Sequence, residues 1–263
     1  MNVLIVFAHP ERQSLNGSLL DVAVSELHAQ GHQVQVSDLY AMNWKATVDR
    51  DDFPGLKTTD RLKVAAESSK EFTARTLTDD VKAEQEKLLW ADTVILQFPL
   101  WWFTMPAILR GWVDRVYACG FAYGVGEHSD SRWGDRYGEG IMAGKRAMLI
   151  VTTGGWPEHY SARGINGPID DLLFPIHHGI LFYPGFTVLP PFVAYRADRT
   201  DDAKFALLER DLRIRMNTLT ETPPIAYRQQ NGGDYQIPTM QLLPDLEEPG
   251  VIGFALHIQK GKH

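Results

Sequence analysis

Short apolar runs separated by stretches of helix length constrain the fold of this chain more than any other feature. The runs at 3–8, 93–98 and 147–151 are continuous and rich in branched side chains, which is typical of central parallel strands buried on both faces. Runs at 34–39 and 187–193 predict two more strands. Because helices separate consecutive strands, the pairing is parallel with right-handed crossovers. The prediction is an α/β fold: a doubly wound five-stranded parallel sheet with helices on both faces.

The segments between the strands carry helix and loop signals. Ser14 offers an N-cap hydroxyl for a helix that ends before Gly31, and further helices are predicted over 79–90, 106–116, 169–181 and 201–219. Residues 43–80 are polar and broken, which favours a long excursion over the surface. Residues 120–144 contain seven glycines, so a loop insertion is predicted that a ligand or a neighbouring chain would order.

Composition excludes several classes of protein. The net charge of −7 leaves no basic footprint for nucleic acid. The single cysteine, Cys119, cannot form an internal disulfide. No apolar run reaches the length of a membrane span, and the first residues lack the pattern of a signal peptide. We expect a cytoplasmic protein without a stable membrane anchor or a nucleic-acid partner.

Ligands of such sheets bind outside the carboxyl ends of the strands, and three unusual loops follow strand ends here, at 9–16, 99–104 and 152–160. The first loop enters a helix at Ser14, and free N–H groups at a helix N-terminus suit a phosphate, with His9 or Arg12 adding positive charge. An ordinary capped helix gives the same pattern, and neither glycine-rich phosphate motif is present.

Twelve of the 28 aromatic residues lie within 98–160, and three of them, Trp101 to Phe103, follow one another in the second loop. In extended backbone, neighbouring side chains point to opposite faces, so a flat ligand or another chain should cover part of this run. In the third loop, Gly154 and Gly155 let the backbone approach a ligand closely, although a simple turn also explains a glycine pair.

Six segments then carry a family resemblance: His9-Pro10-Glu11-Arg12, Ser37 to Met42, Gln97-Phe98-Pro99-Leu100, Pro106 to Trp112, Phe121-Ala122-Tyr123 and Thr152-Thr153-Gly154-Gly155. Their order and spacing resemble the flavin-dependent NAD(P)H:quinone oxidoreductases of the DT-diaphorase type. The resemblance covers about residues 1–220, which implies a flavodoxin-like, flavin-binding catalytic domain there, followed by a docking tail over 221–263.

The resemblance implies an enzyme that uses FAD, takes electrons from NAD(P)H and passes hydride to a quinone by a ping-pong cycle, in a homodimer whose sites lie between the subunits. The residues that it places at the cofactor are His9, Ser14, Leu15, Asn16, Pro99, Leu100, Trp101, Trp102, Phe103, Thr152, Thr153, Gly154, Gly155, Tyr160 and Lys204. Catalytic roles fall to the N–H groups of Gly154 and Gly155 and to the Tyr160 hydroxyl, which would stabilise negative charge on the reduced flavin.

The substrate slot implied by the resemblance comprises Trp102, Phe103, Tyr123, Asn166 and Tyr183. Asn166 replaces the histidine that the family pairs with its tyrosine, and an amide cannot relay a proton. Trp101 replaces a glutamine.

Some relatives bind a metal in the segment that matches 177–182. Here His177 and His178 are present, but Phe182 replaces the second ligand, so no metal is expected.

Two other functions stay open from the sequence. One is an FMN-dependent azo- or nitroreductase, and the other is a flavin-bearing regulatory subunit of a potassium-efflux transporter. The length of 263 residues and the long tail argue against the second.

Overall fold

The computed structural model describes residues 1–259 and confirms a doubly wound α/β fold. The parallel sheet has the order β2-β1-β3-β4-β5, with β6 also paired to β4. Its strands are β1 Asn2–Phe7, β2 Gln33–Asp38, β3 Thr93–Pro99, β4 Arg146–Thr153, β5 Thr187–Val188 and β6 Phe192–Tyr195. The helices are α1 Leu15–Ala29, α2 Val64–Ala74, α3 Asp79–Trp90, α4 Ala107–Val116, α5 Ile169–Ile176 and α6 Asp202–Asn217.

The two faces of the sheet bury separate halves of the core. Alternate side chains of β1 point to opposite faces. Leu4 and Val6 pack with α3, α4 and α5, whereas Val3, Ile5 and Phe7 pack with α1 and α6. Burial on both faces explains why the central strands have continuous apolar sequences.

The predicted fifth strand is present as two short strands along β4. Arg146 pairs with Thr187 at the start of β4, and Ile150 pairs with Phe192 further along it. Between them lie Pro190 and Pro191. Since proline has no backbone N–H to donate, the ladder is interrupted there.

Helix bounds agree with the sequence except in two places. The predicted surface excursion contains a helix, α2, that was not predicted, since only Ser68 and Glu71 of it are buried and it has no apolar stripe. The predicted helix 169–181 is α5 continued by π-helical turns over His177–Phe182. The stop at Gly31 is confirmed by its φ of 76°.

The glycine-rich loop 120–144 is held by contacts within the chain. Arg132 pairs with Asp135 and Glu139, each at 2.7 Å. Gly138 N–H donates to the Phe182 carbonyl at 3.0 Å. Contacts within the chain therefore contribute to the order of this loop, and a contribution from a ligand or a neighbouring chain stays a prediction.

The tail folds back on the body and contains a small hairpin, where no element was predicted. The hairpin pairs β7 Tyr235–Gln236 with β8 Gln241–Leu242. Ile225 N–H donates to the Val188 carbonyl at 2.8 Å, and Tyr227 is buried in the core. The predicted tail also covers residues 260–263, which lie outside the described residues, and the domain boundary at 220 stays a prediction.

Within residues 1–259, no helix combines the length and apolar character needed to cross a bilayer.

Candidate functional site

The three loops singled out by the sequence meet at one cavity. β1, β3 and β4 are adjacent and parallel, with Phe7 opposite Gln97 and Pro99 opposite Thr152, so their carboxyl ends share an edge. The cavity there has a volume of about 280 Å³. Its lining residues are His9, Ser14, Leu15, Asn16, Pro99, Leu100, Trp101, Thr152, Thr153, Gly154, Ala197 and Asp198.

One side of the cavity is the N-terminus of α1. The Ser14 hydroxyl caps the helix by accepting from Gly17 N–H at 3.2 Å. Leu15 and Asn16 begin the helix, so their N–H groups have no acceptor within it. His9 is held by the backbone of Glu11, whose nitrogen lies 3.0 Å from His9 Nδ1. This end can bind an anion.

Arg12 does not supply charge to the cavity, contrary to one of the alternatives from the sequence. Its guanidinium pairs with Asp21 and donates to the Gly17 carbonyl at 2.7 Å. Of the two candidate positive groups in this loop, the structure places only His9 at the cavity wall.

Asn16 connects the first loop to the third. Its Nδ2 donates to Thr152 Oγ1 at 2.5 Å, and its backbone carbonyl accepts from Gln97 Nε2 at 2.7 Å. Within the described residues, Asn16 Oδ1 and Gln97 Oε1 are buried without a hydrogen-bond partner. An unsatisfied buried acceptor costs about 1–3 kcal/mol, so a donor on a ligand would be favoured beside Asn16.

The aromatic loop is a tight turn and not the extended segment that the sequence predicted. Trp101 and Thr104 form a bridge, and Trp102 and Phe103 have φ of 49° and 62°. Left-handed backbone turns both side chains outward, so Trp102 is 92% exposed and Phe103 is 47% exposed. Of the three rings only Trp101 lines the cavity, and its ring lies 5.9 Å from that of His9.

Gly154 and Gly155 have different surroundings. A Cβ at Gly154 would meet only Asp198 Oδ1, at 3.8 Å, so this position opens onto the cavity. A Cβ at Gly155 would lie 2.7 Å from Tyr160 Cε2. The Tyr160 ring is buried, and its hydroxyl lies 2.5 Å from Thr153 Oγ1. Gly155 therefore makes room for Tyr160.

Asn166 and Lys204, two other predicted residues, do not line the cavity. Asn166 N–H donates to the His159 carbonyl at 3.0 Å, next in sequence to Tyr160. Lys204 Nζ donates to the carbonyls of Tyr195 and Arg196, at 2.6 and 3.0 Å. Burial, followed by the nearby Arg196 charge, lowers the Lys204 pKa. Lys204 thus holds the backbone just before the lining residues 197 and 198.

Ala197 and Asp198 line the cavity but were missed by the sequence reasoning. They follow the carboxyl end of β6, so the rule that selected the other three loops also applies to this one.

The two predicted slot tyrosines lie elsewhere in the chain. Tyr123 and Tyr183 line a second cavity of about 290 Å³, together with residues of α4. It shares no lining residue with the cavity at the sheet edge. Within one chain, the predicted substrate residues are therefore not brought together.

His177 and His178 form no metal site within the described part of the chain, where no grouping of three or more His, Cys, Asp or Glu could hold an ion. Burial lowers the pKa of each imidazole to about 4. Both are neutral at physiological pH.

Residues 1–215 match the model of a family with a flavodoxin-like fold. A ribosyldihydronicotinamide dehydrogenase-like protein of Penicillium crustosum is 62% identical over 98% of this chain and 95% of its own length. The human ribosyldihydronicotinamide dehydrogenase [quinone] is 41% identical over 85% of this chain and 94% of its own. The rat NAD(P)H dehydrogenase [quinone] 1 is 40% identical over 85% of this chain and 79% of its own length.

Among solved structures, a Klebsiella pneumoniae protein assigned as a quinone reductase superposes with a TM-score of 0.96 and 61% identity, covering 98% of this chain and 99% of that one. The resemblance drawn from the loop residues is confirmed. With a family match over most of its length and relatives well above 30% identity, this chain belongs to the flavodoxin-like family, in the branch of the flavin-dependent NAD(P)H:quinone oxidoreductases.

Proposed function

We propose that the protein reduces quinones with NAD(P)H, using FAD bound in the cavity at the carboxyl edge of the sheet. The observation that carries this proposal is the convergence of residues 9–16, 99–101 and 152–154 on one cavity. Family membership and the names of the relatives support the same reaction class.

The residues at the cavity fit a flavin in three respects. The free N–H groups of Leu15 and Asn16 suit a phosphate. The unpartnered Asn16 Oδ1 suits a donating hydroxyl, as on a ribityl chain. The open space at Gly154 admits a flat ring close to the backbone. FAD rather than FMN is proposed on the residue matches to the DT-diaphorase type.

A flavin bound there would accept a hydride from NAD(P)H and deliver it to a quinone. The chain's own part is electrostatic: the N–H groups of Gly154 and Gly155 and the Tyr160 hydroxyl would stabilise negative charge on the ring. Thr153 fixes the position of that hydroxyl. The proposed order is ping-pong, with the oxidised nicotinamide leaving before the quinone binds at the same face.

We also propose a homodimer in which each site takes Tyr123 and Tyr183 from the other chain. Two observations support it: these tyrosines lie in a separate cavity of their own chain, and large apolar side chains are exposed on the surface. Trp102 is 92% exposed and Ile165 is also 92% exposed. A second chain would remove this apolar surface from water.

Cofactor and reaction are tested together. The flavin released on denaturation is identified by HPLC, and the purified holoprotein is reduced with NAD(P)H and mixed with a benzoquinone in a stopped-flow instrument. We expect the released flavin to be FAD and the reduced flavin to be reoxidised rapidly by the quinone. Steady-state rates at varied NAD(P)H and quinone should give parallel lines in double-reciprocal plots. Released FMN would overturn the choice of cofactor, and slow reoxidation would favour an electron carrier over a reductase.

Shared sites are tested by mixing inactive chains. Gly154→Val blocks the sheet-edge cavity and Tyr183→Asp damages the tyrosine cavity, each in a different chain. If sites are shared, the mixed dimer regains one of its two sites and therefore about half of the wild-type activity per dimer. Light scattering that shows a fully active monomer would overturn the dimer.

A further inference from the structure

A third cavity, of about 330 Å³, lies where the tail meets the body. Arg136 and Tyr137 of the glycine-rich loop form one wall, and Phe174 and His178 form another. Tail residues, including Phe254, close it. It shares no lining residue with the sheet-edge cavity or with the Tyr123–Tyr183 cavity, so the proposed function leaves it without a role.

The walls are flat aromatic surfaces. Tyr137, His178, Phe174 and Phe254 stack in that order, with ring centroids 4.6, 4.6 and 4.2 Å apart and interplanar angles of 27°, 13° and 10°. Three parts of the chain that are distant in sequence supply these rings. Because these rings face one another, their edges and the outer faces of the two end rings, Tyr137 and Phe254, are what a planar ligand could contact.

Most titratable side chains around the cavity are either neutral or paired with an opposite charge. Burial lowers the pKa of His178 to about 4 and also lowers that of His257. Arg228 pairs with Asp234 at 2.7 Å and with Glu247 at 2.9 Å. The two histidines are therefore neutral, whereas Arg228 with its two carboxylates has one negative charge in excess.

Arg136 is the exception. Its Nε donates to Gln230 Oε1 at 2.5 Å, a neutral partner, and no ion pair of Arg136 with a carboxylate exists within residues 1–259. Its guanidinium carbon lies 6.0 Å from the centre of the Tyr137 ring. The Arg136 guanidinium thus places a positive charge and free N–H donors beside an aromatic wall. A carboxylate bound there can accept two parallel hydrogen bonds from it.

We propose that this cavity binds a planar aromatic carboxylate, with its rings packed against the stack and its carboxylate on Arg136. Size agrees with this ligand class, because a cavity of about 150 Å³ holds one benzene ring. The cavity here has room for two fused rings. The site shares no lining residue with the sheet-edge cavity, although Arg136 and Tyr137 contact Tyr183 of the neighbouring cavity.

The probe is 2-naphthoate, titrated by calorimetry into the flavin-loaded protein, with neutral 2-naphthamide as the matched ligand. We expect one naphthoate per chain and weaker binding of the amide. Arg136→Gln should weaken naphthoate binding about tenfold or more, the size of a lost charge-assisted pair. Arg136→Lys keeps the charge and should stay within a few fold, and Arg210→Gln, at an exposed arginine of α6, should change nothing.

A second variant and a second readout keep the test decisive. Phe254→Ala removes a ring of the stack and should weaken both ligands together. Thermal unfolding of each variant checks that the chain still folds. The proposal is overturned if acid and amide bind equally, if Arg136→Gln binds like the wild type, or if naphthoate alters the flavin spectrum and competes with NAD(P)H, which would place it at the sheet edge.

Discussion

Gly154 and Gly155 are neighbours with different physical constraints, and valine at each position should separate them. Valine at 154 enters the cavity and meets only Asp198, so it should abolish flavin binding while leaving the flavin-free protein as stable as the wild type. Valine at 155 collides with Tyr160, and we expect a loss of about 1–3 kcal/mol in the free energy of unfolding.

Flavin absorbance of the purified variants and denaturant unfolding of their flavin-free forms measure the two effects. A fully flavin-loaded Gly154→Val protein would show that the ring does not lie at this glycine.

Tyr160 is held by Thr153, and no histidine among residues 1–259 hydrogen-bonds to its hydroxyl, so it should act as a fixed donor rather than as part of a proton relay. Tyr160→Phe should slow flavin reduction about tenfold, or about 1.4 kcal/mol, without loss of flavin. Asn166→His should speed reduction only where Tyr160 is present.

A double-mutant cycle on the stopped-flow rate of flavin reduction measures this coupling. If the effects of the two changes on the rate are additive, the proposed coupling between positions 160 and 166 is contradicted.

The sequence predicted most residues of the sheet-edge cavity because parallel topology brings consecutive strand ends to one edge. It could not predict that Arg12 turns away to Asp21, since that depends on how the loop before α1 lies against the second turn of the helix. It also could not show that a Cβ at Gly155 would collide with Tyr160. Such side-chain contacts depend on three-dimensional packing that spacing does not encode.

At the scale of elements, the turn at 101–104 holds two bulky residues in left-handed backbone, which costs about 1–2 kcal/mol per residue. Glycine relieves that cost and alanine does not, while both remove the exposed ring of Trp102. We therefore expect the free energy of unfolding of Trp102→Gly to be about 1 kcal/mol higher than that of Trp102→Ala.

Denaturant unfolding at low protein concentration gives the comparison. Both variants should weaken the proposed dimer equally, because both lose the ring. Equal stability of the two would mean that the turn is not left-handed in solution.

Buried and exposed elements differed in how well they could be predicted. β1, β3 and β4 were evident because burial on both faces leaves continuous apolar runs. α2 was not, because a helix that buries only Ser68 and Glu71 carries no apolar period. The contacts of the tail were not predicted either. They depend on bridges such as that between Tyr227 and Ile258, which are far apart in sequence and show no strand pattern.

At the scale of the whole molecule, His177 couples stability to pH. Burial lowers its pKa from 6.5 to about 4, so between these values the unfolded chain binds a proton that the folded chain does not. The free energy of unfolding should therefore fall as the pH drops from 6.5 to 4, by about 1.4 kcal/mol per pH unit from this group.

His177→Leu removes the titrating group, so its stability should fall less steeply over this range than that of the wild type. Urea unfolding at a series of pH values gives the two slopes. Parallel curves for both proteins would contradict a neutral, buried His177.

The proline interruption between β5 and β6 has a consequence for the behaviour of many molecules together. An uninterrupted edge strand would present a row of N–H and carbonyl groups to which the strand of another molecule could add. Pro190 and Pro191 offer no N–H groups, the Pro190 carbonyl already accepts from Arg215, and the Val188 carbonyl already accepts from Ile225. Edge-to-edge aggregation is thereby opposed on this side of the sheet by two residues that take no part in the chemistry.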